Sequence, residues 1–535
     1  MVRYWKCVAL TLIIATVSAW VIPFEGDEFY QYHALFCRYY PWNRLNTFMA
    51  GCGEYDLRLT GTDLVLPLRA YLYSGSFPSL YYLPLFLLWP SPISARWLNL
   101  LFLLAESVVL GRIFQFDGRR VFYGLLLFFP YAFQHVVDTG PVSLHLLSVF
   151  VIYALAIRWC RSLHLVYPIL IASVIVACIW TKLVYLLLLP GIAVLVILAF
   201  FQSGLHERVW QGRRRFWLQL ILGIALTTGM TSMLLFSSAP LSPDQYPLIE
   251  ELQRGGGYSL TYLYRSFWNL GITQLWMNPL SATHRIYEVS RLSPIFSLSS
   301  LALFFGISWI ILTAWITVRP ARTGLAVAAI LYLVFLGTTV LVIRTKVAWG
   351  MHHLILVFPF LILAILTTIS ALRRTVTGAS LGLRSLFLTG GVLLGMLNAG
   401  MYAYFPFQQK LTRADPSKMH AHTLLSDPVF AQRYFYVVLD HGMYFFQALY
   451  GPRDQSVLYV RLNSREKIRQ LELLAKQHKR QLLFLANVRE PVSDLHLLRS
   501  ALPLIRCKAL PTDAVWQIFY EKSPVGDHAC RGTTS

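Results

Sequence analysis

The chain has 535 residues, of which 56% are hydrophobic and 13% are charged, and its formal net charge is +21. A soluble domain carries about 25% charged residues, so this composition, with a mean hydropathy of +0.55, excludes an ordinary soluble protein and indicates a polytopic membrane protein. The basic residues occupy short loops between apolar segments instead of one face of a domain, which argues against a nucleic-acid partner.

Long apolar segments recur along residues 1–405, which we interpret as a transmembrane domain. The first segment loosely resembles a signal peptide, but we interpret it as a retained helix. Because a membrane-spanning helix needs about 20 apolar residues, the sequence predicts about eleven transmembrane helices. They lie near residues 6–23, 97–115, 121–137, 141–157, 165–180, 183–201, 216–237, 295–318, 323–343, 354–371 and 386–404.

Arginine and lysine residues are concentrated in every second loop, for example at Arg119–Arg120, at 208–215 and at Arg373–Arg374. The positive-inside rule places these loops in the cytoplasm. The loops between them, including the long segment 24–96, and the C-terminal region therefore face outward. The sequence has no Asn-x-Ser/Thr acceptor site, which favours a bacterial inner membrane with a periplasmic outer face over the endoplasmic reticulum.

Charged residues of both signs lie at the outward ends of the predicted helices. The carboxylates are Asp27, Glu28 and Asp138, and the cations are Lys182, Arg344 and Lys346. Charged groups at a membrane surface are costly and often functional. One alternative is that the first two carboxylates cap a helix end or lie solvated in a loop, and another is that each cation extends to the lipid headgroups. Their coincidence on one face favours a shared site.

Transfer of a sugar from a lipid phosphate needs this combination of charges. A carboxylate removes the proton from an acceptor hydroxyl as it attacks the sugar, and cations hold the phosphate as it departs. Because the leaving group is already a phosphate, a divalent metal ion is compatible with this chemistry but not obligatory. No other cofactor is implied.

His352 and His353 follow the last of these cations in the same predicted loop. They are adjacent and would point to different sides of a helix, so they make a poor metal pair. One of them can bind a phosphate oxygen or a sugar hydroxyl, and the alternative is an interfacial histidine satisfied by backbone or water. The sequence contains no CxxC or His/Cys cluster, so we predict no metal site.

Residues 406–535 lack long apolar segments and predict a soluble α/β domain on the outer face. The segments FYVVLD, SVLYV, QLLFLANV and AVWQIFY are typical of short strands. The segment SREKIRQLELLAKQHKR has helical spacing and begins with a serine N-cap. This alternation of strands and helix indicates an α/β fold. No glycine-rich motif follows the strands, so we predict no nucleotide site.

Four of the seven cysteines form two potential pairs on the outer face, Cys37 with Cys52 and Cys507 with Cys530. An oxidising compartment favours disulfides in both pairs. The alternative is that all four are free thiols, because a sequence contains no distances.

Five segments carry a resemblance to a known family. They are GDEFYQYHAL, YLYSGSFPSLYYLPLFLLWPSPISARWLNLLFLL, GRIFQFDGRR, FPYAFQHVVDTGPVSLHLL and WTKLVYLLLLP. In their order and spacing they resemble GT-C glycosyltransferases that use polyprenyl-phosphate sugars, such as protein O-mannosyltransferases and lipid A aminoarabinose transferases. The resemblance covers residues 5–200. The later loop RTKVAWGMHH lies outside it, so the roles of the cations and histidines in that loop rest on position and chemistry.

The resemblance implies a GT-C-like fold and transfer of a hexose or pentose from a polyprenyl-phosphate donor to a lipid, glycan or protein hydroxyl, with inversion at the sugar. It implies that Asp27 is the catalytic base with Glu28 beside it, and that Asp138 shapes the donor or acceptor pocket. From the second segment we add Arg96 to the donor-phosphate ligands and Tyr82 to the substrate-binding candidates. The residues between 55 and 95 would form juxtamembrane helices.

Two other functions remain as alternatives. A lipid or solute transporter would show internal repeats and charges near the middle of the spans. The sequence has no repeat of fixed period, and we interpret its charges as lying at span ends. An inactive GT-C-like scaffold would not need the carboxylates and the lysine of the outer face, so their presence favours an enzyme.

Overall fold

The structure is a computed structural model, and the chain divides into two compact units. The first comprises Met1–Ile22, Ala95–Phe236 and Pro247–Thr412, and the second comprises Pro23–Ser94, Ser237–Tyr246 and Arg413–Ser535. The described residues are 9, 13, 56–58, 65–67, 69–71, 74–89, 92–114, 142–205, 210–237, 313, 322–344, 355–373, 382, 385, 416–439, 443, 447, 455–459, 464–487, 493–507 and 516–521.

Short strands occupy the described residues between 56 and 75, which corrects the expectation of helices throughout 55–95. Strand β1 (Asp56–Arg58) pairs antiparallel with β2 (Val65–Pro67), and β3 (Arg69–Tyr71) pairs antiparallel with β4 (Ser74–Gly75). The proline that ends β2 disfavours a continuous helix here, because proline lacks an N–H and clashes with the preceding turn. Helix α1 (Phe77–Leu88) follows the strands.

The described helices of the transmembrane part coincide with seven of the predicted spans. They are α2 (Pro92–Phe114), α3 (Ser143–Ser162), α4 (Val166–Thr181), α5 (Leu189–Gln202), α6 (Trp210–Ser237), α7 (Arg322–Arg344) and α8 (Phe358–Arg373). Two 3₁₀ helices, Leu183–Leu188 and Ile355–Val357, directly precede α5 and α8.

Length and composition allow six of these described elements to cross a membrane, and α4 is a shorter apolar helix. The chain is therefore a multi-pass membrane protein. The predicted spans near 6–23, 121–137, 295–318 and 386–404 lie outside the described residues apart from single positions, so the total of about eleven stays a prediction.

Helix α8 lies at the centre of the described bundle, because 89% of its spanning segment is buried. Its most extensive contact is with α7, where an added Cβ at Gly324 would lie 2.8 Å from the Cβ of Ala371. Helix α5 approaches at Gly191, where an added Cβ would lie 2.6 Å from Cζ of Phe360. Small residues at these points allow the helix backbones to pack closely.

Helix α6 lies at the periphery of the bundle, with only 11% of its spanning segment buried. It exposes large apolar side chains, among them Trp217 and Ile221, as expected for a surface in contact with lipid. Gln219 attaches α6 to α3. Its Oε1 accepts a hydrogen bond from Nε1 of Trp159 at 2.6 Å, and its Nε2 donates to the carbonyl oxygen of Leu163 at 3.0 Å.

The C-terminal segment contains a five-stranded mixed sheet with the strand order β6-β5-β7-β9-β8. Strand β5 is parallel to β6 and β7, and β9 is antiparallel to β7 and β8. The elements are α9 (Pro416–Leu425), α10 (Pro428–Arg433), β5 (Tyr434–Val438), β6 (Ser456–Tyr459), α11 (Arg465–Gln477), β7 (Gln481–Asn487), α12 (Ser493–Ala501), β8 (Leu504–Arg506) and β9 (Trp516–Glu521).

Helix α11 packs on this sheet through one apolar face. It buries Ile468, Leu471 and Ala475 in the same core as Phe435 and Phe484 of the strands. Four of the strands and α11 occupy the segments that the sequence indicated. Strand β8 and helices α9, α10 and α12 were not predicted. Strand β8 has only three residues and too little pattern to be recognised.

Cys507, next to β8, is disulfide-bonded. Its partner lies outside the described residues, so pairing with Cys530 stays a prediction, as does the other pair expected in the first outer loop. Cys160 and Cys178, on α3 and α4, are buried.

Candidate functional site

The ends of the described helices meet around a common cavity at one end of the bundle. Helices α2, α3, α5 and α8 finish here and α7 begins here, and each contributes residues to the cavity wall. Representative lining residues are Arg112, Arg158, Gln202, Thr323 and Ser370. We call this the arginine end of the bundle.

The opposite termini of the same elements must lie at the other end of the bundle, which we call the lysine end. It holds Arg96 near the start of α2, Lys182 before α5 and Arg344 as the last residue of α7. At 1.5 Å per residue, α2 separates Arg96 from Arg112 by about 24 Å. Three of the cations that we predicted to bind the donor phosphate thus share one end, each on a different element.

Lys182 lies where α4 stops and the 3₁₀ helix begins. Its backbone is extended, with φ −159° and ψ 122°. Its N–H donates to the carbonyl oxygen of Cys178 at 2.9 Å, and its own carbonyl oxygen accepts from the N–H of Tyr185 at 3.0 Å. These bonds fix the backbone of Lys182, and the residue as a whole is only 2% exposed. Burial of an ammonium group is costly unless acceptors or an anion surround it.

The local sequence explains this break between helices. Pro190 lies in the first turn of α5, where its missing N–H has no hydrogen bond to lose. If one helix continued unbroken from Lys182, Pro190 would lie in the interior of that helix and disrupt it. The chain instead forms a six-residue 3₁₀ helix, which is longer than the usual three or four residues. Its contacts with α7 and with the second 3₁₀ helix hold it in place.

A buried polar network surrounds the backbone of Lys182. Nε2 of His145, on α3, lies 2.8 Å from the carbonyl oxygen of Cys178, the same oxygen that accepts from Lys182. Because a carbonyl oxygen only accepts, Nε2 of His145 carries a proton. This bond connects α3 to the end of α4.

Ser148 extends this network to the 3₁₀ helix. Its Oγ donates to the carbonyl oxygen of His145 at 2.6 Å, which leaves the hydroxyl of Tyr185 as the donor in the 2.7 Å contact with Ser148. The rings of His145 and Tyr185 stack with centroids 5.0 Å apart. Two helices and the 3₁₀ segment are thereby fixed around the turn that carries Lys182.

The other predicted site residues divide into two groups. Arg96 is 1% exposed, and Tyr82, on α1 in the second unit, is fully buried with its ring centroid 4.6 Å from that of Tyr81. The remaining predicted residues, Asp27, Glu28, Asp138, Lys346, His352 and His353, lie outside the described residues.

Sequence reasoning missed His145, Ser148 and Tyr185. A signal was present, because His145 and Ser148 are polar residues three positions apart near the lysine end of α3, within a stretch of apolar residues. The sequence also led us to place the charged residues of the spans at the span ends, and the position of Glu106 shows that this interpretation was wrong for that residue. Its side chain is fully buried within α2, between the two ends of the helix.

The described residues at the lysine end are suited to an anion. Lys182 and Arg96 are buried cations at the end of an apolar bundle. A phosphate group fits such cations because charge-assisted hydrogen bonds are strong where water is excluded. Among the described residues, no group of three or more His, Cys, Asp or Glu side chains is arranged to hold a metal ion.

No family model and no curated protein matches the chain. The solved structure of ArnT from Cupriavidus metallidurans bound to undecaprenyl phosphate matches with 13% sequence identity and a TM-score of 0.51, over 98% of this chain and 98% of that chain. ArnT from the same organism in the apo state has 13% identity and a TM-score of 0.43, over 96% and 97% of the two chains.

The match to ArnT bound to undecaprenyl phosphate establishes the fold. The chain shares the fold of ArnT along nearly its whole length, and the GT-C-like fold expected from the sequence is confirmed at this level.

Proposed function

We propose that the protein transfers a sugar from a polyprenyl-phosphate donor to a hydroxyl group of a lipid, glycan or protein, at the lysine end of the bundle and on the outer face of a bacterial inner membrane. The observation that carries this proposal is the buried Lys182 in a fold shared with ArnT, a structure of which holds undecaprenyl phosphate. An ammonium group buried in this way can make a charge-assisted hydrogen bond to a phosphate oxygen.

The reaction is a single displacement at the sugar. Asp27 accepts the proton of the acceptor hydroxyl while the hydroxyl oxygen attacks the anomeric carbon. The bond from this carbon to the phosphate oxygen breaks, and its electron pair leaves with the lipid phosphate. Because attack and departure occur on opposite faces, the anomeric configuration inverts. Glu28 lies next to the base in the sequence, and Asp138 shapes the pocket.

Cations stabilise the lipid phosphate as it departs. We assign this role to Arg96, Lys182, Arg344 and Lys346. Contacts to the sugar or the phosphate come from His352, His353 and Tyr82. The mechanism does not require a metal ion, although a divalent ion would add positive charge beside the phosphate.

The network of His145, Ser148 and Tyr185 supports the site without touching the reacting atoms. If the turn were mobile in the free protein, ordering Lys182 around a phosphate would weaken donor binding. The hydrogen bonds of this network order the turn when the protein folds, before the donor binds. We therefore assign these three side chains a positioning role.

The test is single-turnover transfer by the purified protein in lipid nanodiscs, with a set of undecaprenyl-phosphate sugars as donors and released lipid phosphate as the readout. Asp27→Asn should reduce transfer by about 10²–10⁴-fold and leave donor binding intact, because asparagine cannot accept the proton. Lys182→Ala should weaken donor binding and also slow departure of the phosphate. Arg214→Ala, at an exposed position of α6, is the matched control and should leave both unchanged.

Two results would contradict the proposal at different levels. Transfer at the wild-type rate by Asp27→Asn would remove the assignment of the base. A wild-type protein that releases lipid phosphate from none of the donors would remove the glycosyltransferase function itself.

The buried Glu106 favours transport of a lipid or solute as a second candidate function. Carboxylates buried within a membrane helix frequently mark the path of an ion or substrate. Transport predicts that a labelled substrate crosses the membrane of proteoliposomes chemically unchanged, and that Glu106→Gln stops this movement. Chemical conversion of the donor without such movement would exclude this candidate.

A further inference from the structure

The cavity at the arginine end has a volume of about 770 Å³. This is within the range of about 300–1,000 Å³ that is common for small-molecule sites. Its polar lining includes Arg112, Arg158, Arg161, Gln202, Ser203 and Thr323. None of these residues has a part in the transfer reaction proposed above.

The cavity is positively charged. Three arginine residues line it, and no described lining residue is an aspartate or glutamate. Arg112 and Arg161 lie in the last turns of α2 and α3, where a cation also offsets the negative end of the helix. That role accounts for one arginine on each helix but not for the convergence of three on one space. Because like charges repel, the arrangement favours an anionic ligand.

Further hydrogen-bond donors face the same space. The hydroxyl of Tyr153 donates to Oε1 of Gln202 at 2.8 Å, which occupies the amide oxygen and leaves the amide NH₂ as the donor group of Gln202. Helix α7 begins at the cavity, so the backbone N–H groups near Thr323 belong to a first turn without intrahelical partners. Arginine forks together with such N–H groups match the oxygens of a phosphate.

The deeper walls of the cavity are mainly apolar, apart from Tyr153 of α3 and Thr367 of α8. Val109 of α2, Val151 and Leu155 of α3 and Val327 of α7 all line it. The polar residue at the rim of the cavity is Arg112 in α2, Arg158 in α3 and Thr323 in α7. Each apolar residue lies at least three positions closer to the middle of the span than the polar residue of its own helix. The cavity therefore offers a charged rim at the membrane surface and a hydrocarbon wall beneath it. This combination fits an amphiphile better than a fully soluble anion.

We propose that this cavity binds the phosphate headgroup of an anionic membrane lipid, in the leaflet that the positive-inside rule assigns to the cytoplasm. Since α2 places Arg112 about 24 Å from Arg96, one phosphate cannot occupy this site and the lysine end together. The lipid fills the space between α2, α3 and α7 and neutralises their clustered charge. The site is independent of the transfer reaction.

The test uses the full-length protein purified in detergent and titrated with phosphatidylglycerol or phosphatidylcholine, with bound lipid counted by native mass spectrometry. The wild type should bind phosphatidylglycerol preferentially. Arg112→Gln combined with Arg158→Gln should reduce this preference about 25-fold, because each arginine near a membrane surface strengthens binding of an anionic lipid about fivefold. Arg214→Gln combined with Arg215→Gln removes the same charge from exposed positions of α6 and should retain the preference.

Lysine variants separate loss of charge from a failure to fold. Arg112→Lys combined with Arg158→Lys keeps both charges, and a monodisperse preparation should still prefer phosphatidylglycerol. Loss of the preference in that variant, an equal loss in the control pair, or equal binding of both lipids by the wild type would overturn the proposal. Competition by inorganic phosphate or glycerol 1-phosphate at the concentration of the lipid would assign the site to a soluble phosphate compound and overturn the lipid assignment.

Discussion

Replacement of Gly324 by alanine tests the close packing of α7 on α8. An alanine Cβ at this position would lie 2.8 Å from the Cβ and 3.5 Å from the Cα of Ala371. Carbon atoms in favourable contact are about 3.5–4.0 Å apart, so the two helices must separate by close to 1 Å. No rotation relieves the clash, because the backbone fixes the position of the Ala371 Cβ.

Gly337 on the same helix is the matched control, because an added Cβ there meets no atom within 4 Å. Gly337→Ala should raise the free energy of unfolding by about 0.5–1 kcal/mol through helix propensity. Gly324→Ala gains at most the same stabilisation from helix propensity, and it is also destabilised by overpacking, typically by about 1–3 kcal/mol. The two variants should therefore differ in stability by about 1–3 kcal/mol, with Gly337→Ala the more stable.

Thermal unfolding of the detergent-purified variants, followed by tryptophan fluorescence, measures this difference. Adding Ala371→Gly to Gly324→Ala moves the methyl group from one helix to the other and should restore most of the loss. The double-mutant cycle should show a favourable coupling of about 1 kcal/mol or more. A midpoint for Gly324→Ala at or above that of Gly337→Ala, or no rescue by Ala371→Gly, would refute the close approach of the helices.

Three further predictions concern topology, the disulfide and the polar network. A reporter active only outside the cytoplasm should be active after the C terminus and silent at 208–215, and the reverse pattern would move the proposed active site to the other face. Cys530→Ser should make Cys507 reactive towards a thiol label in denaturant and cost about 3 kcal/mol of stability; an unlabelled Cys507 would exclude this partner. Tyr185→Phe should cost about 1 kcal/mol by removing the bond to Ser148 and should raise the donor KM, and an unchanged KM would argue against a positioning role.

Hydrophobic length made the membrane helices predictable. Helix α7 spans Arg322–Arg344, within one residue of the predicted 323–343 at each end. The segment must match the thickness of the bilayer, and this requirement is visible in a one-dimensional pattern of apolar residues. Strand β7 was predictable for a related reason, since its continuous apolar run is typical of a strand buried on both faces.

The polar network around Lys182 was not predictable. The sequence marked Lys182 as a charge at a span end, but the hydrogen-bonded pairs beside it are 33 and 37 positions apart in the chain. Which side chains meet depends on the rotation of each helix about its axis and on its neighbours. Apolar residues all around a buried helix leave that rotation undetermined in the sequence.

The sequence by itself determined the membrane class, the positions of the described membrane helices along the chain and the clustering of basic residues in alternate loops. Only the tertiary structure decided that the arginines of α2 and α3 line one cavity with α7, and that Lys182 is buried at the other end. The physical reason is that hydrophobic length sets where a helix lies along the membrane normal. Which helices become its neighbours depends on how their side chains fit together, for example where the absence of a side chain at Gly324 leaves room for Ala371.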